Sequence, residues 1–183
     1  RILLELGGKS PLIVLKDADL DAAVQGAIFG MFFYQEQVCM GSSRILVEAP
    51  VYDEFLKRFK AATAAIGFGD LRDPRTITGP LISKRQRDRV KRHIEDAVAN
   101  GATIETGGTW DGNRCASTIL TGVKKGMICY YEETFGPVTS VYKVASADEA
   151  LEIANDTTYG LSAAVYTQNL NEALRLAQGI HTG

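Results

Sequence analysis

The sequence predicts an α/β fold: a mostly parallel sheet with helices on both faces. Three observations carry this. Short apolar runs alternate with longer runs of helical spacing along the 183 residues. Helix-stopping residues punctuate the long runs, at Gly67–Asp70, Asn100–Gly101 and Gly179. Composition is that of a soluble globular protein, with 45% hydrophobic and 23% charged residues.

The elements follow in order. Ile2 to Leu6 is a short apolar run with Glu5 inside it, read as a strand that Gly7–Gly8 breaks. Leu12 to Leu15 is the next strand, bounded by Pro11 and Lys16. Asp17 or Asp19 caps a helix over Leu20–Phe33, whose small residues Ala22, Ala23, Gly26, Ala27 and Gly30 permit close packing. Arg44 to Glu48 is a strand. Pro50 starts a helix with Tyr52, Phe55, Phe59 and Ala62 on one face. Leu71 to Pro80 is a loop, and Ser83 to Ala99 a third helix. Ala102–Glu105 is a strand, Thr106–Asn113 a polar turn region, and Ser117–Leu120 another strand. Tyr130–Pro137 reads as a stiff loop. Strand Val138–Val144, helix Ala147–Asn155, strand Ala163–Tyr166 and helix Asn169–Gln178 complete the chain. Neither G-x-G-x-x-G after a strand nor G-x-x-x-x-G-K-[ST] occurs, so no complete nucleotide-binding fold is present by motif.

A net charge of -2 gives no electrostatic case for nucleic acid or a bulk membrane surface. The basic run Lys84–Arg92 has helical spacing and reads as a solvated helix face. Cys39, Cys115 and Cys129 have no metal-site spacing, and their odd count fits reduced thiols in a cytoplasmic protein. No apolar run is long enough to span a membrane. The chain starts at Arg1 inside an apolar run and stops at Gly183 after a helical pattern, so both ends read as cuts through a longer protein.

The chemical candidates are one thiol and a few carboxylates. Cys39 stands between a helical run and the turn Gly41–Ser43, where a thiol is held rigidly and still reaches a substrate. A lone Cys is more often a core residue, so the thiol needs support from other residues. Glu5 sits in a run that looks half buried, and burial would raise its pKa toward a general base's range. A partly exposed strand-end carboxylate is the plain alternative. Glu132–Glu133 read equally as a solvated loop pair.

Long motifs add that support. Leu4–Pro11 (L-E-L-G-G-K-S-P), Gln35–Arg44 (Q-E-Q-V-C-M-G-S-S-R) and Glu132–Val138 (E-E-T-F-G-P-V) resemble the glutamate, cysteine and cofactor-loop motifs of the aldehyde dehydrogenase superfamily. They occur in the family's order, and Gly79–Ser83 and Ala154–Ser162 are further matches. The E-E-T-F-G-P form and Phe32–Phe33–Tyr34 look more like the aromatic-aldehyde (benzaldehyde or vanillin) branch.

The resemblance implies roles. Cys39 matches the nucleophile that forms a thiohemiacetal and then a thioester, and its backbone N–H matches half of the oxyanion hole. Glu5 matches the base that activates water for hydrolysis, which argues against the branch that passes the thioester to coenzyme A. Glu133 matches the residue that hydrogen-bonds the nicotinamide ribose of NAD or NADP, and Phe135 the aromatic beside the nicotinamide. Gln86 aligns with a position that touches the same ribose. No metal is implied. Residues 1–8 match the end of a cofactor domain and its junction, and 9–183 a catalytic domain. The family's oxyanion-hole Asn and Rossmann-like domain precede the first motif, and an intersubunit strand follows the last. The intact protein is thus expected to be a homo-oligomer, dimer or tetramer, and the 183 residues alone to lack dehydrogenase activity. The chain departs from the pattern at Glu36, where the family usually has Gly. Gly there would allow positive φ and close approach, and a carboxylate near Cys39 would oppose thiolate formation unless it points to solvent. Two other classes stand beside this reading, a Cys-dependent esterase or thioesterase and a non-catalytic interaction domain.

Overall fold

The computed structural model describes residues 1–183. In chain order the elements are β1 (Pro11–Val14), α1 (Leu20–Phe32), β2 (Arg44–Glu48), α2 (Ala49–Ala64), α3 (Lys84–Ala99), β3 (Thr103–Thr106), β4 (Trp110–Asp111), β5 (Arg114–Cys115), β6 (Thr118–Thr121), α4 (Ile128–Tyr131), β7 (Val138–Val144), α5 (Ala147–Asn155), β8 (Ala164–Tyr166) and α6 (Leu170–Gly179).

Six strands form one sheet in the order β3-β6-β7-β2-β1-β8. Every neighbouring pair is parallel except β3 and β6. Strands β1 and β2 are buried at every position, and β7 at all but Lys143, because both faces are covered. Leu12, Val14, Ile45 and Val47 point to one face, where Ala23, Ala27 and Met31 of α1 and Phe55 and Phe59 of α2 close over them. Ile13 and Leu46 point to the other, under Val90 and Ile94 of α3, Ala150 of α5 and Leu176 of α6. Each large side chain taken out of water here contributes about 1.5–3 kcal/mol.

The helix starts obey local chemistry. Asp19 accepts from the N–H groups of Asp21 and Ala22, Ser83 from Gln86, Ser146 from Glu149, and Asn169 from Asn171 and Glu172. Pro50 sits in the first turn of α2, where its missing N–H costs nothing.

Three readings from sequence are corrected. Ile2–Leu6 forms no strand: Ile2 and Leu3 are each 87% exposed, and Glu5 is exposed with them. An apolar run becomes a strand only against a partner, and none packs on it here. The polar region 106–113 contains half of a small antiparallel hairpin, β4 on β5, with Trp110 packed on the core. The stiff loop expected over 130–137 begins as the last turn of α4, whose Ile128 N–H donates to the Asp96 carboxylate on α3 at 2.7 Å. The basic run is mainly a solvated face of α3, as read from its spacing, but Arg89 is half buried and turns inward.

Candidate active site

The sheet itself assembles the site. Gly7–Ser10 lead into β1, Cys39–Ser43 into β2, Glu133–Pro137 into β7, and Thr157–Ser162 precede β8. These four strands are adjacent and parallel, so their lead-in segments meet at one edge of the sheet, at the strands' amino ends. Open α/β sheets more commonly bind ligands at the carboxyl ends.

The meeting point is Gly7–Gly8. The Gly8 N–H donates to Glu133 Oε1 at 2.8 Å. A Cβ at Gly8 would stand 2.1 Å from the Cys39 carbonyl oxygen, and one at Gly7 would stand 2.8 Å from the Glu133 carboxylate. Gly7 also has φ +77, the left-handed region that glycine alone adopts freely. Thus the backbone of one motif holds the nucleophile loop on one side and the Glu133 loop on the other. Ser162 adds a tie: its hydroxyl bonds Ser10 Oγ at 2.9 Å and donates to the Met40 carbonyl at 3.4 Å.

Arg44 anchors the assembly from beneath. It is fully buried, and its guanidinium donates to the carbonyls of Lys9, Ile153 and Ala154 at 2.9, 2.7 and 2.8 Å. The two helical carbonyls lie at the end of α5, where a cation also suits the helix dipole.

Cys39 is half-buried in a turn and lines a cleft of about 390 Å³ with Leu4, Glu5, Gly7 and the segment Thr158–Leu161. Its backbone N–H donates to no protein acceptor and is unspent. The other two thiols are buried, and burial pushes both up, Cys115 to about 12. Of the three, only Cys39 is both accessible and set in a cleft. Glu5 lines the same cleft but is exposed, so the half-buried setting expected from its apolar neighbours is not met.

Glu133 and Phe135 stand half-buried on one loop. Gln86 lies beside them, yet its side-chain amide is committed: both N–H bonds go to carbonyls of Thr134 and Phe135, at 2.8 and 2.7 Å. Arg89 donates to the Glu133 carbonyl. Beneath the loop, His93 is fully buried with Nδ1 3.1 Å from Thr134 Oγ1. Burial, with Lys9 and Arg89 nearby, holds His93 down to about 4, so its 3.5 Å approach to Glu132 is not an ion pair at neutral pH.

Glu36 points neither at Cys39 nor at solvent. It is 4% exposed, has φ 53, and accepts the Gly136 N–H at 2.7 Å. Burial pushes its carboxyl well above the usual range, against the pull of the Gly136 N–H and Lys9. Lys9, 3% exposed, is pulled down to about 8, burial again the largest cause and Glu36 opposing it. Sequence reasoning missed Lys9, Arg44 and His93. The available signals were weak: Lys9 lies within the glutamate motif, Arg44 opens an apolar strand run, and His93 stands one residue before the apolar Ile94 of α3.

The aldehyde dehydrogenase family profile matches residues 1–183. The chain belongs to the aldehyde dehydrogenase family. It is 46% identical over 181 residues to benzaldehyde dehydrogenase YfmT of Bacillus subtilis, covering 99% of this chain and 37% of that protein. It is 44% identical to vanillin dehydrogenase of Pseudomonas fluorescens, covering 99% and 38%. Its fold superposes on the crystal structure of a salicylaldehyde dehydrogenase from Pseudomonas putida G7, complexed with salicylaldehyde. That match has a TM-score of 0.95 at 44% identity and covers 99% of this chain and 38% of that one. The chain therefore spans somewhat over a third of the length of these relatives. No helix is long and apolar enough to cross a membrane.

Proposed function

We propose that these residues are the catalytic portion of an NAD(P)-dependent aldehyde dehydrogenase that oxidises an aldehyde, of the aromatic class, to its carboxylic acid. The observation that carries the reading is the Gly7–Gly8 junction, where one backbone segment touches both the Cys39 loop and the Glu133 carboxylate. The relatives named for benzaldehyde, vanillin and salicylaldehyde support the aromatic class of substrate.

Cys39 attacks the carbonyl carbon, and its unspent N–H faces charge developing on the aldehyde oxygen. Loss of hydride converts the thiohemiacetal to a thioester. Glu5, on the same cleft, takes a proton from the water that hydrolyses it. The fit of a nicotinamide cofactor rests on the Glu133 loop. Glu133 Oε1 is used by Gly8, and Oε2 accepts no hydrogen bond from the protein and is left for a ribose hydroxyl. Phe135 offers a half-buried aromatic face beside it. A nicotinamide held there by Glu133 and Phe135 would supply the acceptor for the hydride.

Residues 1–8 form the junction to a cofactor domain, and 9–183 the catalytic domain. The exposure of Ile2, Leu3, Leu4 and Leu6 supports a packing partner for that stretch in the longer protein. Three free thiols fit a cytoplasmic enzyme, and a homo-oligomer is the expected assembly.

The test is NADH formation from benzaldehyde by the protein that carries this chain, for wild type, Cys39→Ala and Glu5→Gln. Cys39→Ala abolishes turnover, and Glu5→Gln gives one burst and then stalls at the acyl-enzyme. Retained activity in Cys39→Ala overturns the reading, and ester turnover without NAD(P) in place of aldehyde oxidation would favour a cysteine esterase.

A further inference from the structure

We propose that Glu36 is a positioning residue for the cofactor loop, its side chain setting where Glu133 and Phe135 stand relative to Cys39. The inference rests on the reading above, that this loop faces NAD(P).

The loop needs an external hold. Phe135 has φ 56, a conformation that a bulky residue keeps only when its surroundings over-determine it. Side chains grip its backbone at four points. Arg89 takes the Glu133 carbonyl, and Gln86 takes the carbonyls of Thr134 and Phe135. These three ties all run to α3. The fourth is the Gly136 N–H donating to Glu36 Oε2, and it is the only side-chain tie from segment 34–39 to this loop. Without it the side-chain ties to the loop's backbone all come from α3, and on the nucleophile's side only the Gly8 N–H, bound to the Glu133 carboxylate, remains.

Glu36 reaches Gly136 because the chain is wound unusually there. Tyr34, Gln35 and Glu36 all have positive φ, at 50, 57 and 53. The flanking amides are occupied elsewhere: Gln35 Oε1 accepts the Gly79 N–H at 3.0 Å and Gln37 Oε1 the Ile82 N–H at 2.9 Å. Glu36, between them, reaches the cofactor loop. Gly41 leaves room for its stem, since a Cβ there would stand 2.8 Å from Glu36 Cγ. Gly136 in turn lies hard on α3, where a Cβ would stand 2.4 Å from Val90 Cγ2. The loop is thus clamped between α3 and Glu36, and the clamp joins the nucleophile's own segment to Glu133 and Phe135.

The experiment compares Glu36→Ala, Glu36→Asp and Glu36→Gln in the protein that carries this chain. Calorimetry reads the affinity for NAD+ and NADP+, and the alkylation rate of Cys39 by iodoacetamide reads the nucleophile. Ala removes the acceptor and Asp is one methylene too short, so both weaken binding of the preferred cofactor about tenfold, the scale of one lost buried hydrogen bond. Cys39 alkylation stays within about twofold, because the Gly8 contact still holds its loop. Gln accepts the same bond and restores the affinity. Wild-type affinity in both Glu36→Ala and Glu36→Asp overturns the proposal. So does failure of Glu36→Gln to rescue, or a parallel loss of cofactor affinity and thiol reactivity, which marks a merely structural residue. Should Glu36→Ala not fold, the contrast between Asp and Gln decides. A wild type that binds neither dinucleotide sinks the functional reading itself. Normal binding with indifferent Glu36 variants sinks only this inference.

Discussion

Residues 1–6 and residues 34–39 each bring one carboxylate to the neighbourhood of the site, and they are held in opposite ways. Glu5 lies in an extended segment that nothing covers, with Leu3 87% exposed beside it. Glu36 lies in a left-handed turn between Gln35 and Gln37, whose side-chain oxygens each accept a backbone N–H, and is itself 4% exposed. The apolar segment is loose and the polar one is fixed. Hydrophobic residues order a chain only when something apolar receives them, whereas backbone N–H groups of neighbouring loops receive Gln35, Glu36 and Gln37 here. Polar side chains that each satisfy a neighbour's N–H specify position more sharply than apolar ones without a partner.

The comparison breaks if substitutions in the held region prove cheap. The largest effect is expected at Arg44, whose loss leaves three buried carbonyls without their donor. Arg44→Met should cost about 4 kcal/mol in urea unfolding. A cost below about 1 kcal/mol would mean that water replaces the guanidinium.

His93, which supports Thr134 from beneath, sharpens the comparison through pH. Burial holds it at about 4 against an ordinary 6.5. The unfolded chain therefore takes up a proton between pH 6.5 and 4 that the native state refuses. Stability from this group is full above pH 6.5 and falls by about 3 kcal/mol across that window. His93→Gln should flatten that part of the pH profile, and an unchanged slope would assign the acid sensitivity to other groups.

Gly8→Ala comes next. A methyl group 2.1 Å from a backbone oxygen has no flexible side chain to push aside. About 2 kcal/mol of destabilisation is expected, together with a slower reaction of Cys39 with alkylating agents. Unchanged stability and reactivity would show that the two loops can separate freely. The smallest effect belongs to the loose region: Glu5→Gln and Leu3→Ser should each change stability by less than about 0.5 kcal/mol in these residues. A larger loss would mean that the first six residues are packed after all.

Much of this was legible beforehand. The helices α1, α2 and α3 stand within a residue or two of their expected limits, because caps, glycine stops and apolar periodicity act locally. The strand runs around Ile13, Leu46 and Val141 were legible for the same reason. What escaped depends on partners distant in sequence. The α4 turn follows from Asp96 accepting the Ile128 N–H, across 32 residues. The Glu36 contact spans 100 residues and turns a departure from the family pattern into a buried tie. Glu5 was expected half buried because its neighbours are apolar, and its exposure shows that composition alone cannot say what covers a segment.

By itself, the sequence determined the fold class, the family and the identity of the candidate nucleophile, because periodicity, capping and the long ordered motifs are properties of neighbouring residues. Only the tertiary structure decided which of those residues meet. The lead-ins to four parallel strands converge because β7, β2, β1 and β8 are neighbours in the sheet. Strand order is set by packing both faces of the sheet under helices, an energy summed over the whole core that no single stretch of chain contains.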